Sequence, residues 1–201
     1  MDISYRQEIL RKLIHLSSLW MAAVQMFFPK QVLLILFGGL LLANVLVEYC
    51  FYKRWPVFSL YGKFFGKMLR AKETDGRFRL SGGPYVLAGA FLATLFFTAE
   101  IAMISLSVML IGDAAAALIG KKWGRRKINS GTKSVEGSLA FLFCGFIVSA
   151  FLSWHLGVEP RTFFLGFPGV LLAMFAEIYE KQIRIDDNIA PVLCVGFVMS
   201  L

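Results

Sequence analysis

The sequence predicts an all-α, polytopic integral membrane protein with about seven transmembrane helices. Three observations carry that reading. Hydrophobic residues make up 58% of the 201 and charged residues only 17%, for a mean hydropathy of +0.68, which is far from the balance of a soluble domain. The apolar residues fall into runs near the ~20 residues needed to cross a hydrocarbon core. The cations gather in the short segments between those runs, the pattern that orients membrane proteins. The same composition excludes a disordered chain, a collagenous repeat and a disulfide scaffold, since Phe contributes 20 residues and Cys only 3. Cys50, Cys144 and Cys194 lie in or beside apolar runs, where small buried thiols are expected, and no metal-ligand spacing surrounds them. A net charge of +8 would suggest nucleic acid in a soluble protein. Here it serves orientation, and no nucleic-acid partner is expected.

In chain order, the first run extends from about Leu13 to Phe28 and reaches spanning length only if it begins near Ile9, with His15 at its edge. Pro29-Lys30-Gln31 lacks a small-residue cleavage pattern, so this helix is expected to stay in the mature protein. A second run covers Gln31 to about Cys50, closed by Lys53 and Arg54. Residues 51–80 then mix eight Lys and Arg with Trp55, Phe58, Tyr61, Phe64 and Phe65, which predicts a basic amphipathic segment along the membrane surface. Gly83–Phe97 and Ile101–Ile119 read as a helical hairpin around Thr98-Ala99-Glu100. Val135 to about Leu156 and Phe163 to about Ile178 form another, around Glu159-Pro160-Arg161. Ile189–Leu201, at 13 residues, is marginal for a crossing. Seven helices is the best count and six the alternative, within a single membrane-embedded domain over 1–201. If the amino terminus, 51–80, 121–134 and 179–188 share one side, that side holds 19 of the 21 Lys and Arg, and only Lys30 and Arg161 lie opposite. The basic side is expected to face the cytoplasm.

Three polar clusters are not explained by hydrophobicity. Glu8, Arg11, Lys12 and His15 share one surface of the first helix. Glu8 can pair with Arg11 or Lys12, whereas His15 enters an apolar run and needs a partner there; together they read as a phosphate-binding surface. In Gly112-Asp113-Ala114-Ala115-Ala116-Ala117-Leu118-Ile119-Gly120-Lys121-Lys122, Asp113 is an intramembrane carboxylate that must face a cavity, a cation or water. Gly112, Ala116 and Gly120 recur every four residues and admit a close neighbouring helix. Next, Arg125-Arg126-Lys127-Ile128-Asn129-Ser130-Gly131-Thr132-Lys133-Ser134-Val135-Glu136-Gly137 joins cations and hydroxyls to a helix start that Ser134 can cap, a fitting phosphate site over about 121–138. It is not a Walker A loop, because Thr132 separates Gly131 from Lys133 and no strand precedes it. The third cluster, Glu177, Glu180, Asp186, Asp187 and Asn188, returns to the same side and suits Mg²⁺ held jointly with phosphates. Glu48 either joins this network or pairs with Lys53 or Arg54.

The pattern Glu8-x-x-Arg11-Lys12-x-x-His15, Gly112-Asp113-Ala114-Ala115-Ala116 through Gly120 and Gly124, Lys133-Ser134-Val135-Glu136-Gly137-Ser138 and Asp187-Asn188 before Pro191 resembles the CTP-dependent membrane lipid kinases, which include dolichol, phytol and CTP-using diacylglycerol kinases. The resemblance implies transfer of the γ-phosphoryl group of CTP, or less favourably ATP, to the hydroxyl of a polyprenol, phytol or related lipid alcohol. By that likeness Asp113, Lys133 and Asp187 are catalytic, and Asp113, Glu177, Asp187 and Asn188 would hold Mg²⁺. Arg11, Lys12, His15, Lys121, Lys122, Lys133, Ser134, Glu136, Gly137 and Asn188 would contact the nucleotide. The chain is also similar, more weakly, to phosphatidate cytidylyltransferase, although Thr132-Lys133-Ser134-Val135-Glu136-Gly137 lacks the Ser-Pro-Lys-Lys-Thr character expected there. A transporter or membrane scaffold would explain buried carboxylates but not phosphate chemistry gathered on one face. A homo-oligomer is compatible with all three readings.

Overall fold

The structure is a computed structural model that describes residues 4–53, 80–128 and 133–201. Nearly all of the interfacial segment expected over 51–80 lies outside those residues. The described chain is helical apart from one two-stranded antiparallel ladder, β1 (Lys127–Ile128) with β2 (Lys133–Ser134), which pairs Lys127 with Ser134.

Four helices are long and apolar enough to cross a membrane among the described residues, rather than seven. They are α3 (Lys30–Tyr52), α5 (Ala99–Trp123), α6 (Val135–His155) and α7 (Pro160–Ile178). Their ends follow local chemistry. Pro29 precedes α3 in an extended conformation; Thr98 accepts from the Ile101 N–H at the start of α5; Ser134 does the same for Gly137 on α6. Pro160 opens α7 as its first residue, where its missing N–H has no intrahelical role. Lys121 and Lys122 occupy the last turn of α5, where cations suit the helix dipole.

The other expected spans are shorter or broken. The run Leu13–Phe28 divides into α1 (Tyr5–Ser17), α2 (Leu19–Ala23) and a 3₁₀ turn, Val24–Met26. The break falls at two serines: Ser17 Oγ donates to the Ile14 carbonyl at 2.6 Å, competing with the helix ladder, and the Ser18 N–H turns back to His15 and Leu16. α4 (Gly82–Phe96) has 15 residues and α9 (Ala190–Met199) ten, about 22 and 15 Å of helix against a hydrocarbon core of ~30 Å. α8 (Glu180–Ile183) is a single turn.

α5 is the buried helix, with α6, α9, α1, α2 and α4 packed around it. The small-residue stripe admits α6 as its spacing predicts: a Cβ on Gly112 would meet the Phe141 ring at 2.9 Å, and one on Gly137 would meet the Ala116 carbonyl at 2.8 Å. Large apolar side chains such as Ile35, Phe143 and Trp154 remain exposed, the surface of a protein solvated by acyl chains. The 3₁₀ turn after α2 is tied to α4 by the buried Gln25–Thr94 hydrogen bond (2.8 Å), and Trp20 of α2 lies against Phe37 of α3.

Candidate functional site

The clusters converge at the end of the bundle that carries the amino terminus, the carboxyl ends of α5 and α7 and the start of α6. Two lysine–carboxylate groups form there. In the first, Lys12 of α1 is 2% exposed and pairs with Asp113 of α5, which lies 101 residues further along the chain. His15, one turn on, brings Nε2 to 3.2 Å from the same Asp113 oxygen. Arg11, adjacent in sequence but turned about 100° around the helix, pairs instead with Glu8 at 2.5 Å. Sequence alone permitted either cation for Glu8; the facing of α1 toward α5 decides it.

In the second group, Lys133 of β2 meets Glu177 at the end of α7 (2.5 Å), Asp187 (3.2 Å) and Glu180 of α8 (3.5 Å). Burial by itself opposes the ammonium charge, but Asp187, Glu177 and Glu180 outweigh it and hold the Lys133 pKa well above its ordinary range. Glu180, by burial and then by the neighbouring Asp187, is pushed up to about 7, with Lys133 as the opposing influence. Asn188 donates to Asp186 at 2.7 Å and to Asp187 at 3.3 Å, which shapes the turn ahead of α9. The two groups share one electrostatic neighbourhood: Asp187 is felt at Arg11, His15 and Asp113.

Three buried polar atoms here lack a hydrogen-bond partner: Arg11 Nε, His15 Nε2 and Glu177 Oε2. The only other such atom among the described residues, Ser153 Oγ, lies near the far end of α6. Buried polar groups are ordinarily satisfied, so their concentration at one place marks a site with capacity for a polar ligand. The donor set is hard oxygen, from Asp113, Glu177, Asp187 and the Asn188 amide, which suits Mg²⁺ shared with phosphates. Among the described residues no three His, Cys, Asp or Glu are grouped to hold a metal by themselves.

The remaining expected site residues build the loop around these groups. Ser134 Oγ accepts from Gly137 N at 3.1 Å. Glu136 accepts from the Arg126 N–H at 3.2 and 3.4 Å, tying the segment after α5 to the first turn of α6. At Gly137 the backbones of α5 and α6 lie close enough that a Cβ there would meet the Ala116 carbonyl at 2.8 Å. Lys121 and Lys122 are exposed at the end of α5, Lys122 over the Trp123 ring at 4.5 Å; Lys121 acts electrostatically on Glu8. Glu48, left open in the sequence, accepts from the Ser81 N–H (2.9 Å) and hydroxyl, and so anchors the start of α4. Glu180 was legible as part of an acidic cluster; its contact with Lys133 was not, because no local pattern reports a neighbour 47 residues away.

Fold and site define a polytopic helical membrane protein whose helix ends converge on an acidic, lysine-bridged cluster. No family model matches the chain, and no solved structure does. It is 30% identical to an uncharacterised protein of Methanocaldococcus jannaschii over 96% of this chain and 93% of that one. It is 37% identical to phytol kinase 1, chloroplastic, of Arabidopsis thaliana over 61% of this chain and 44% of that kinase. It is 31% identical to CTP-dependent diacylglycerol kinase 1 of Schizosaccharomyces pombe over 51% and 46%. The chain belongs to one family with the Methanocaldococcus protein and is distantly homologous to the CTP-dependent lipid kinases, phytol and diacylglycerol kinases alike, without assignment to a single member. It spans less than half the length of the named kinases it matches.

Proposed function

We propose that the chain is a single catalytic domain that transfers the γ-phosphoryl group of CTP, in preference to ATP, to the hydroxyl of a membrane lipid alcohol of the polyprenol or phytol type. The observation that carries this reading is the convergence of Lys12, Lys133, Asp113, Glu177 and Asp187, with three partnerless buried polar atoms, at one end of a membrane bundle. The homology supports the same chemistry. Phosphoryl transfer requires in-line placement and neutralisation of several negative charges more than it requires a covalent nucleophile.

Lys133 and Arg11, with Lys121 and Lys122 at the rim, bind the phosphates; Ser134, Glu136 and Gly137 hold the loop that presents Lys133. Asp113, Glu177, Asp187 and Asn188 are the residues that would hold Mg²⁺, which would supply neutralisation of phosphate charge. The acceptor oxygen bonds to the γ-phosphorus as the bond to the bridging oxygen breaks; CDP departs with the electron pair, and the hydroxyl proton passes to Asp113. The basic face is cytoplasmic in this reading.

Purified protein in lipid nanodiscs, given CTP or ATP labelled at the γ position and, in separate reactions, a panel of lipid alcohols or phosphatidate, tests the reading. A labelled phospholipid product is expected. Pyrophosphate release with a CDP-lipid product would establish nucleotidyl transfer instead. Labelling of Lys122→Cys and Glu159→Cys from the same side of sealed vesicles would overturn the orientation.

A further inference from the structure

The lower part of this site lies deep. Asp113 is ten residues before Trp123, the last residue of α5, or about 15 Å below that helix end. Its partners Lys12 and His15 lie seven and ten residues into α1, about 10 and 15 Å from its start. On α4, Gly89 abuts the Asn188 carbonyl, which a Cβ there would meet at 2.8 Å, and Gly89 is seven residues past Gly82, again about 10 Å. Three helices from separate parts of the chain agree. α5, with 25 residues, spans about 37 Å against a hydrocarbon core of about 30 Å. Centred on the bilayer, it puts Lys121 and Lys122 at headgroup level and Asp113 about 10 Å inside the hydrocarbon boundary. Lys133 enters from higher up: it lies two residues before the start of α6, whose Gly137 packs against Gly120, three residues from the end of α5.

A triphosphate reaches such a site only along cations, and Lys133 and Arg11 mark that descent. A hydrocarbon chain drawn up into water to meet a surface site loses favourable transfer energy with each methylene exposed. The two demands are met if the substrates arrive from different phases. The outer face of α1 carries exposed Leu10, Leu13 and Ile14, so one helix thickness separates acyl chains from Asp113. On the inner face, His15 Nε2 is buried without a hydrogen-bond partner, while the nearby Asp113 oxygen is held by Lys12.

Resting on the lipid-kinase reading above, we propose that the nucleotide descends from the aqueous end past Lys133, whereas the acceptor hydroxyl enters from the bilayer beside α1 and is received by His15 Nε2. This makes His15 a positioning residue for the acceptor, in place of the phosphate-contacting role expected from its sequence neighbours.

The test uses the full chain in nanodiscs with a long-chain alcohol bearing a diazirine next to the hydroxyl carbon, illuminated without nucleotide and mapped by mass spectrometry. Adducts are expected on residues 12–17 of α1 and 110–116 of α5, displaced by phytol. In kinetics, His15→Phe is expected to raise KM for the alcohol about tenfold or more, the loss of one hydrogen bond, while KM for CTP changes by less than about twofold; His15→Gln, which retains a hydrogen-bonding amide, recovers most of the loss. Adducts confined to residues 121–128 or to the outer face of α6 around Phe143 and Phe151 would overturn the route even with normal phosphoryl transfer. So would equal effects of His15→Phe on both KM values. Adducts on α1 in a protein that transfers phosphate from no nucleotide would uphold the route and remove the kinase reading.

Discussion

Asp113→Asn separates folding from chemistry at this site. Lys12 is 2% exposed and has Asp113 as its carboxylate partner. The substitution leaves an ammonium buried without a counter-charge, which costs about 3–5 kcal/mol when one member of a buried pair is removed. Lys12→Met strands the carboxylate instead and costs a similar amount. The double variant Lys12→Met/Asp113→Asn removes both charges at nearly conserved volume and is expected within about 1 kcal/mol of wild type, far from the sum of the singles. Stability is measured by SDS titration in mixed micelles, with helical content as the signal. Phosphoryl transfer is then measured on folded protein. The double variant is expected to be stable yet at least about 100-fold slower, because the carboxylate proposed to take the acceptor proton is absent. Two results refute the reasoning. If each single variant lies within about 0.5 kcal/mol of wild type, there is no strong buried pair; if the double variant recovers turnover, the Asp113 carboxylate takes no part in the reaction.

Lys133→Ala, assayed on correctly inserted protein, should lower kcat/KM roughly 30- to 1000-fold through loss of a charged contact worth about 2–4 kcal/mol in the transition state; Lys133→Arg should recover part of it, and unchanged CTP affinity and turnover would leave Lys133 a structural charge. Glu180 titrates at about 7 in the folded protein against an ordinary 4.5, so the native state holds its proton more tightly than the unfolded chain. Stability therefore falls as pH rises through that window, and Glu180→Gln should be more stable than wild type at pH 8 with no advantage at pH 4; a constant gap at both would contradict the shift. Gly137→Ala sets a Cβ 2.8 Å from the Ala116 carbonyl and 3.2 Å from Gly120 Cα. Because both are backbone atoms, the crossing must open, at a cost of about 1–3 kcal/mol, and unfolding at wild-type detergent concentration would show that it tolerates the methyl.

The four long helices were legible to within a few residues at each end because their apolar runs are long, and their observed starts are set by nearest neighbours: Pro29 and Pro160 constrain φ, and Thr98 and Ser134 supply a side-chain acceptor. Local chemistry also placed all three polar clusters on one side, since hydropathy dictates where the chain must turn. The first span misled because its composition is apolar on average, whereas the Ser17 hydroxyl and the Ser18 backbone N–H interrupt its ladder. A composition window averages that break away. Ser134, Glu136 and Gly137, expected at the nucleotide, also make local hydrogen bonds: Ser134 Oγ accepts from the Gly137 N–H and Glu136 from the Arg126 N–H.

The sequence by itself determined the solvent, the chemistry available and the face on which it would gather. Bilayer burial needs long apolar runs, and isolated carboxylates and lysines are too costly to scatter through them. Only the tertiary structure decided which charge meets which. Arg11 and Lys12 are interchangeable on paper, and about 100° of helix rotation sends one to Glu8 and the other to Asp113. Lys133 finds Glu177, Glu180 and Asp187 because α7 returns to the start of α6. Depth was decided there as well. How far Asp113 lies from the end of the bundle follows from the lengths of α1 and α5 and the level at which they cross, and packing sets that level.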